Sequence, residues 1–103
     1  TNISTIGLIN ISTEIPDKFS LSQNYPNPFN PVTNIEFAVP EKSFVKLTVF
    51  DITGRLVEVL VNEELPAGTY KTDWNAANYS SGVYFYKVES GGFTETKKMI
   101  LTK

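Results

Sequence analysis

From Asn34 onward the chain follows a two-residue rhythm: apolar side chains take every second position of short runs, and a turn signal closes each run. Ile35, Phe37 and Val39 share one face of the run Asn34 to Val39, which Pro40 stops. Val45, Leu47 and Val49 then alternate against Phe44, Lys46, Thr48 and Phe50. Asp51-Ile52-Thr53-Gly54 reads as a tight hairpin connection with Gly54 in the left-handed position, and Arg55 to Val61 as the returning strand. Leu65-Pro66-Ala67-Gly68 turns into Thr69 to Trp74, where Tyr70, Thr72 and Trp74 lie on one face. A polar loop, Asn75 to Gly82, precedes the aromatic-rich run Val83 to Val88; Ser90-Gly91-Gly92 turns again, and Phe93 to Leu101 follows. No stretch carries a 3.6-residue apolar period, so helix is not expected.

The pattern predicts an all-β domain of about seven antiparallel strands at roughly ten-residue spacing, an immunoglobulin-like β-sandwich. Two packed sheets are expected in order to bury both Tyr84/Tyr86 and Val83/Phe85. At 103 residues the chain has material for one core, and its 41% hydrophobic and 19% charged composition is that of a globular domain.

The first eighteen residues have a different texture. Thr1 to Lys18 is rich in Asn, Ser, Thr and Ile and holds no aromatic residue, which reads as a linker. Ile3, Ile6, Leu8, Ile9 and Ile11 also allow, with imperfect alternation, an extra strand, able to pair at home or to complete another molecule's sheet. The domain proper is expected over residues 19–103, with Phe19-Ser20-Leu21 as a short strand. The chain opens on Thr1 with no leader-like segment, so it reads as a fragment or a processed product. Between Gln23 and Pro31 three prolines alternate with Asn and aromatic residues. That spacing fixes φ and removes donors, so a stiff irregular loop is expected, pinned to the core by Tyr25 and Phe29.

Composition excludes several chemistries. There is no cysteine and no histidine, so thiolate and imidazole ligands, a thiol nucleophile and the commonest general base are all missing. A net charge of −2 gives no pull toward nucleic acid or an anionic membrane, and no apolar run approaches the ~20 residues of a membrane span. The adjacent Glu63 and Glu64 point to opposite sides of a strand and cannot face each other across a cleft. Asp51 lacks the repeated Asp/Asn pattern of a calcium loop and reads as a turn residue. Neither an enzyme nor a cofactor is expected. Trp74, Tyr79, Tyr84 and Tyr86 admit a sugar-stacking role, although aromatics at this spacing also fill cores. Lys97-Lys98-Met99-Ile100-Leu101-Thr102-Lys103 places three lysines around an apolar strand with no acid, as an edge guard or as a segment read by a receptor.

Five segments occur in a fixed order: Tyr25-Pro26-Asn27-Pro28-Phe29-Asn30-Pro31, Val49-Phe50-Asp51-Ile52-Thr53-Gly54-Arg55, Leu65-Pro66-Ala67-Gly68-Thr69-Tyr70, Ser81-Gly82-Val83-Tyr84-Phe85-Tyr86 and Lys97-Lys98-Met99-Ile100-Leu101. In this order, from Phe19 to Lys103, the chain resembles the type A C-terminal sorting domains of the type IX secretion system. The resemblance implies an immunoglobulin-like sandwich at the end of a secreted cargo, in transit through the periplasm and then at the cell surface or outside the cell. It implies two partners, an outer-membrane translocon and a surface sortase-like peptidase that cuts within Thr1 to Lys18 and attaches the cargo. By position it carries recognition onto Gly68 and Tyr70, onto Gly82, Val83 and Tyr84, and onto the last strand with Lys97, Lys98, Met99, Ile100, Leu101 and Lys103. Gly54 and the proline loop are expected to maintain the fold. An exposed final strand would suit docking by strand addition. The Ile-rich start is outside the family pattern. Two other roles stay open: a structural or adhesive module that self-associates through its N-terminal strand, and a carbohydrate-binding module of a secreted hydrolase.

Overall fold

A computed structural model describes residues 8–103. Eight strands follow in order: β1 (Ile9–Ser12), β2 (Ser20–Leu21), β3 (Val32–Val39), β4 (Ser43–Asp51), β5 (Leu56–Leu65), β6 (Gly68–Asn75), β7 (Gly82–Ser90) and β8 (Phe93–Leu101). They form two antiparallel four-stranded sheets, ordered β1-β6-β3-β2 and β5-β4-β7-β8. Taking β2 to β8 as the seven strands of an immunoglobulin-like sandwich, β1 is the addition, lying beside β6. Of the Ile-rich start, Ile9–Ser12 pairs with β6, and Leu8 packs against the core; Ile3 and Ile6 lie outside the described residues.

The alternation explains the core. Ile35, Phe37 and Val39 of β3 and Val45, Leu47 and Val49 of β4 are buried from opposite sheets, and Tyr70, Trp74, Tyr84, Tyr86, Val88, Met99 and Leu101 complete the layer. Each large side chain so buried contributes roughly 1.5–3 kcal/mol. Val83 and Phe85, expected inside with Tyr84 and Tyr86, are only half-buried. A two-layer sandwich covers one face of each sheet, so alternate residues of β7 must turn outward. β5 continues four residues past the expected Val61, to Leu65, pairing with β4 as far as Ser43; two bulges, at Leu47/Thr48 and Val49/Phe50, each insert one extra residue into β5. Gly54 takes the left-handed conformation, with φ 87°.

Candidate functional site

The last strand and the proline loop form one unit. Phe29 is buried against Trp74, ring centroids 5.8 Å apart, and its backbone clamps β8: the Phe29 amide donates to the Ile100 carbonyl, and the Thr102 amide donates to the Phe29 carbonyl, both at 2.9 Å. The Ile100 amide donates to Asn27 Oδ1 at 3.0 Å, and Gln23 Nε2 donates to the Lys98 carbonyl at 2.8 Å. The outward-facing groups of β8 from the Lys98 carbonyl to the Thr102 amide are thereby taken. A free final strand was expected; its C-terminal half is instead already paired, since a loop fixed by three prolines presents its few donors and acceptors in one geometry.

Tyr86 fastens this loop from beneath. Its hydroxyl donates to the Ser22 carbonyl and accepts from the Asn24 amide, each at 2.7 Å. Asn24, itself buried, donates through Nδ2 to Thr33 Oγ1 at 2.9 Å and to the Pro26 carbonyl at 3.1 Å. Burial pushes the Tyr86 phenol up to about 12, against the opposing Asn24 bond and with help from the Glu95 charge. Tyr25, expected to pin the loop, does so only through its backbone, which exchanges two 2.9 Å bonds with Asn34 while its ring is 78% exposed.

Two strand starts share one device. Gly68 and Tyr70 open β6; Gly82 and Tyr84 open β7. In both, the tyrosine hydroxyl donates 2.7 Å to the carbonyl four residues back, Pro66 for Tyr70 and Ser80 for Tyr84. In both, the glycine two residues before the tyrosine has a φ that side-chain-bearing residues rarely adopt, 155° and 149°. Tyr84 is the tyrosine corner known from immunoglobulin-like domains, and Tyr70 repeats it in the other sheet.

The expected recognition residues are divided by this architecture. Gly82 pairs with Leu101, Val83 with Ile100, Tyr84 with Met99 and Phe85 with Lys98, so the β7 start and the end of β8 form one region. Lys103 joins it, with Nζ 2.7 Å from the Ala77 carbonyl in the loop before β7. Gly68 and Tyr70 stand at the far end of β6, and the structure does not bring them to this region. Tyr70, Tyr84, Met99 and Leu101 are buried; Gly82, Lys98 and Lys103 are exposed, and Val83 and Ile100 half-exposed. Lys97 turns toward the inner side of β8 and pairs with Glu95 at 3.3 Å.

Other candidates resolve into fold. Asp51 Oδ1 accepts from the Thr53 hydroxyl at 2.6 Å and from the Thr53 and Arg55 amides at 2.9 and 3.0 Å. The Thr53 hydroxyl bond, then the Arg55 amide, hold this carboxyl below its ordinary range. Trp74, Tyr84 and Tyr86 lie inside the sandwich and Tyr79 is half-buried against Trp74, so these four fill the core, the stronger of the two readings their spacing allows. Asn24 and Thr33 were missed: short polar residues near prolines give no signal of burial in a sequence.

These features define a small immunoglobulin-like module whose last strand is locked by its own proline loop. The chain belongs to the secretion system C-terminal sorting domains, whose family model matches residues 23–102. That family is one of sorting signals, not of enzymes. A solved structure of PorZ, described as an essential bacterial surface component of the type-IX secretion system of Porphyromonas gingivalis, is similar in fold, with TM-score 0.53 and 22% identity. The similarity covers 84% of this chain and 12% of that chain, so the present chain spans a small part of that protein's length. No curated protein matches the chain.

Proposed function

We propose that the folded domain is an address read by the outer-membrane type IX translocon, which carries an attached cargo from the periplasm to the cell surface. The family match over residues 23–102 carries this reading. Contact falls to the accessible members of the expected set, namely Gly82, Val83, Lys98, Ile100 and Lys103. Gly68, Tyr70, Tyr84, Met99 and Leu101 act by holding the shape those residues are presented on, and Lys97 by its inward ion pair. A surface sortase-like peptidase is the second partner. Its cut falls before Phe19, in the exposed segment between β1 and β2, where Ile15 is 72% exposed and no strand pairing protects the chain.

The test is export of a reporter carrying residues 1–103 at its C-terminus, in a type IX-competent host and in a translocon-deficient sibling. Translocon-dependent appearance outside the cell is expected, and the reporter's new C-terminus maps the cut. A reporter that folds but stays periplasmic in both strains overturns the reading.

A further inference from the structure

The two outer faces of the sandwich differ in kind. On the β1-β6-β3-β2 sheet the centre is polar, Asn34 and Glu36 of β3 facing outward beside Lys71 and Asp73 of β6, while the exposed apolar residues Ile9, Tyr25 and Val32 are scattered at its margins. On the β5-β4-β7-β8 sheet the corresponding row is apolar. Register places Leu56, Phe50 and Phe85 side by side and ends the row on Lys98. Val83 and Ile100 pair in the next row, and Leu56 is 54% and Val59 41% exposed. Lysines border this stripe. Lys87 lies over the Phe50 ring at 5.5 Å, and Lys98 and Lys46 lie on the same face; the outward carboxylates are Glu89, held by Lys87 at 3.6 Å, and Glu64 at the far end, held by Lys42 at 3.8 Å.

Geometry also removes the usual alternative, pairing along the edge of β8. Its C-terminal half is clamped by the proline loop, as above. In its N-terminal half Glu95 and Lys97 point to the core side, an arrangement that natural sheets use to discourage edge pairing. Phe19 stacks on Phe93, centroids 5.3 Å apart, and covers the beginning of the strand. A partner that reads β8 is thus confined to its outward face.

We infer that the outer face of the β5-β4-β7-β8 sheet, centred on Phe50 and Phe85, is a docking surface for a folded protein with an apolar centre and an acidic rim. This rests on the sorting reading and says which face the translocon meets. Three observations carry it. A contiguous apolar stripe on one sheet face is the mark of an interaction site, and aromatic residues are the usual anchors. The cationic border gives an acidic partner steering and register. The accessible expected contacts Val83, Lys98 and Ile100 lie on this face, although the family pattern that suggested them contains no information about faces.

The experiment uses the same reporter with three substitution sets: Leu56→Ser with Phe85→Ser, Lys98→Glu, and, on the opposite face, Glu36→Lys with Asp73→Lys. Circular dichroism and melting of each purified domain establish folding. The serine pair is expected to lower translocon-dependent export about tenfold or more, the size of one lost anchor. Lys98→Glu is expected to lower it less, with stronger salt sensitivity of binding to the purified translocon, and the opposite-face pair to leave export within about twofold of the parent. Export of the folded serine pair at parental level overturns the face assignment and leaves the sorting reading standing. Parental export that ignores the translocon overturns both. If the serine pair abolishes a self-associated species in sedimentation, or binding to phosphatidylglycerol vesicles, while export persists, the face serves a second copy or a lipid surface, and the assignment fails.

Discussion

Tyr70 and Tyr84 perform the same local task at opposite ends of the molecule, and the difference between them lies in what covers the glycine two residues earlier. A Cβ at Gly68 would lie 2.8 Å from both the Ser12 carbonyl and Asn10 Nδ2, because β1 is laid directly over it; a Cβ at Gly82 meets nothing within 4 Å. The backbone demand is shared, and the steric demand belongs to one corner only. A repeated motif in a sequence therefore does not carry a repeated energy. What β1 adds at the edge beside β6 decides how strictly glycine is required.

The comparison breaks most visibly at Gly68. Gly68→Ala is expected to lower unfolding free energy by about 2–3 kcal/mol, from strain plus the clash, and Gly82→Ala by about 1 kcal/mol, from strain alone. Urea titration of both variants measures this, and equal losses would refute the role given to β1. Deleting residues 1–12 removes the clash, so in that background the Gly68→Ala loss should fall to that of Gly82→Ala; a persisting difference would place its cause in β6 itself.

A third tyrosine sharpens the contrast between local and long-range bonds. The Tyr86 hydroxyl reaches residues 62 and 64 positions away, where the corners reach four. Tyr86→Phe strands a buried amide and a carbonyl and is expected to lose about 2 kcal/mol. Because its folded pKa is raised to about 12 from an ordinary 10.0, the neutral phenol is the form the fold holds. Its contribution is fully present below pH 10 and is lost as pH rises toward 12, at a limiting slope of about 1.4 kcal/mol per unit. Alkaline denaturation across that window should be steep in the parent chain and flatter in Tyr86→Phe, and identical profiles would remove Tyr86 from the account. The corners' own hydroxyls match the Gly82→Ala effect: Tyr70→Phe and Tyr84→Phe should each lose about 1 kcal/mol, similar to one another by thermal melting, since each breaks one bond to a partly buried carbonyl.

Much of this architecture is legible in the sequence because alternation survives wherever one face of a strand is buried. Ile35/Phe37/Val39 and Val45/Leu47/Val49 name their own faces, and the glycine turns mark where the chain reverses. The proline loop is legible as stiff but not in its attachments. Tyr25 and Phe29 are equivalent as letters, yet one ring is solvent-exposed and the other buried, because the choice depends on a strand some seventy residues downstream. The inward turn of Glu95 and Lys97 is hidden for a related reason: β8 is an edge strand, and its charged half obeys the same alternation as its apolar half. The sequence offers the candidate site as a set of residues and not as a surface, since it does not say which face of β7 and β8 is covered.

The clamp of the proline loop on β8 ties together parts of the chain made at different times. Asn27 waits for the Ile100 amide 73 residues later, an interval on the order of 4–15 s at bacterial elongation rates. Until Phe29 finds its partners, its ring and the neighbouring Trp74 lack their cover, and the sheet edge is open. A chain that ends before residue 100 lacks the Ile100 and Thr102 partners of Asn27 and Phe29, and its loop has nothing to close on. Closure of this domain therefore requires that the chain be made through its last strand.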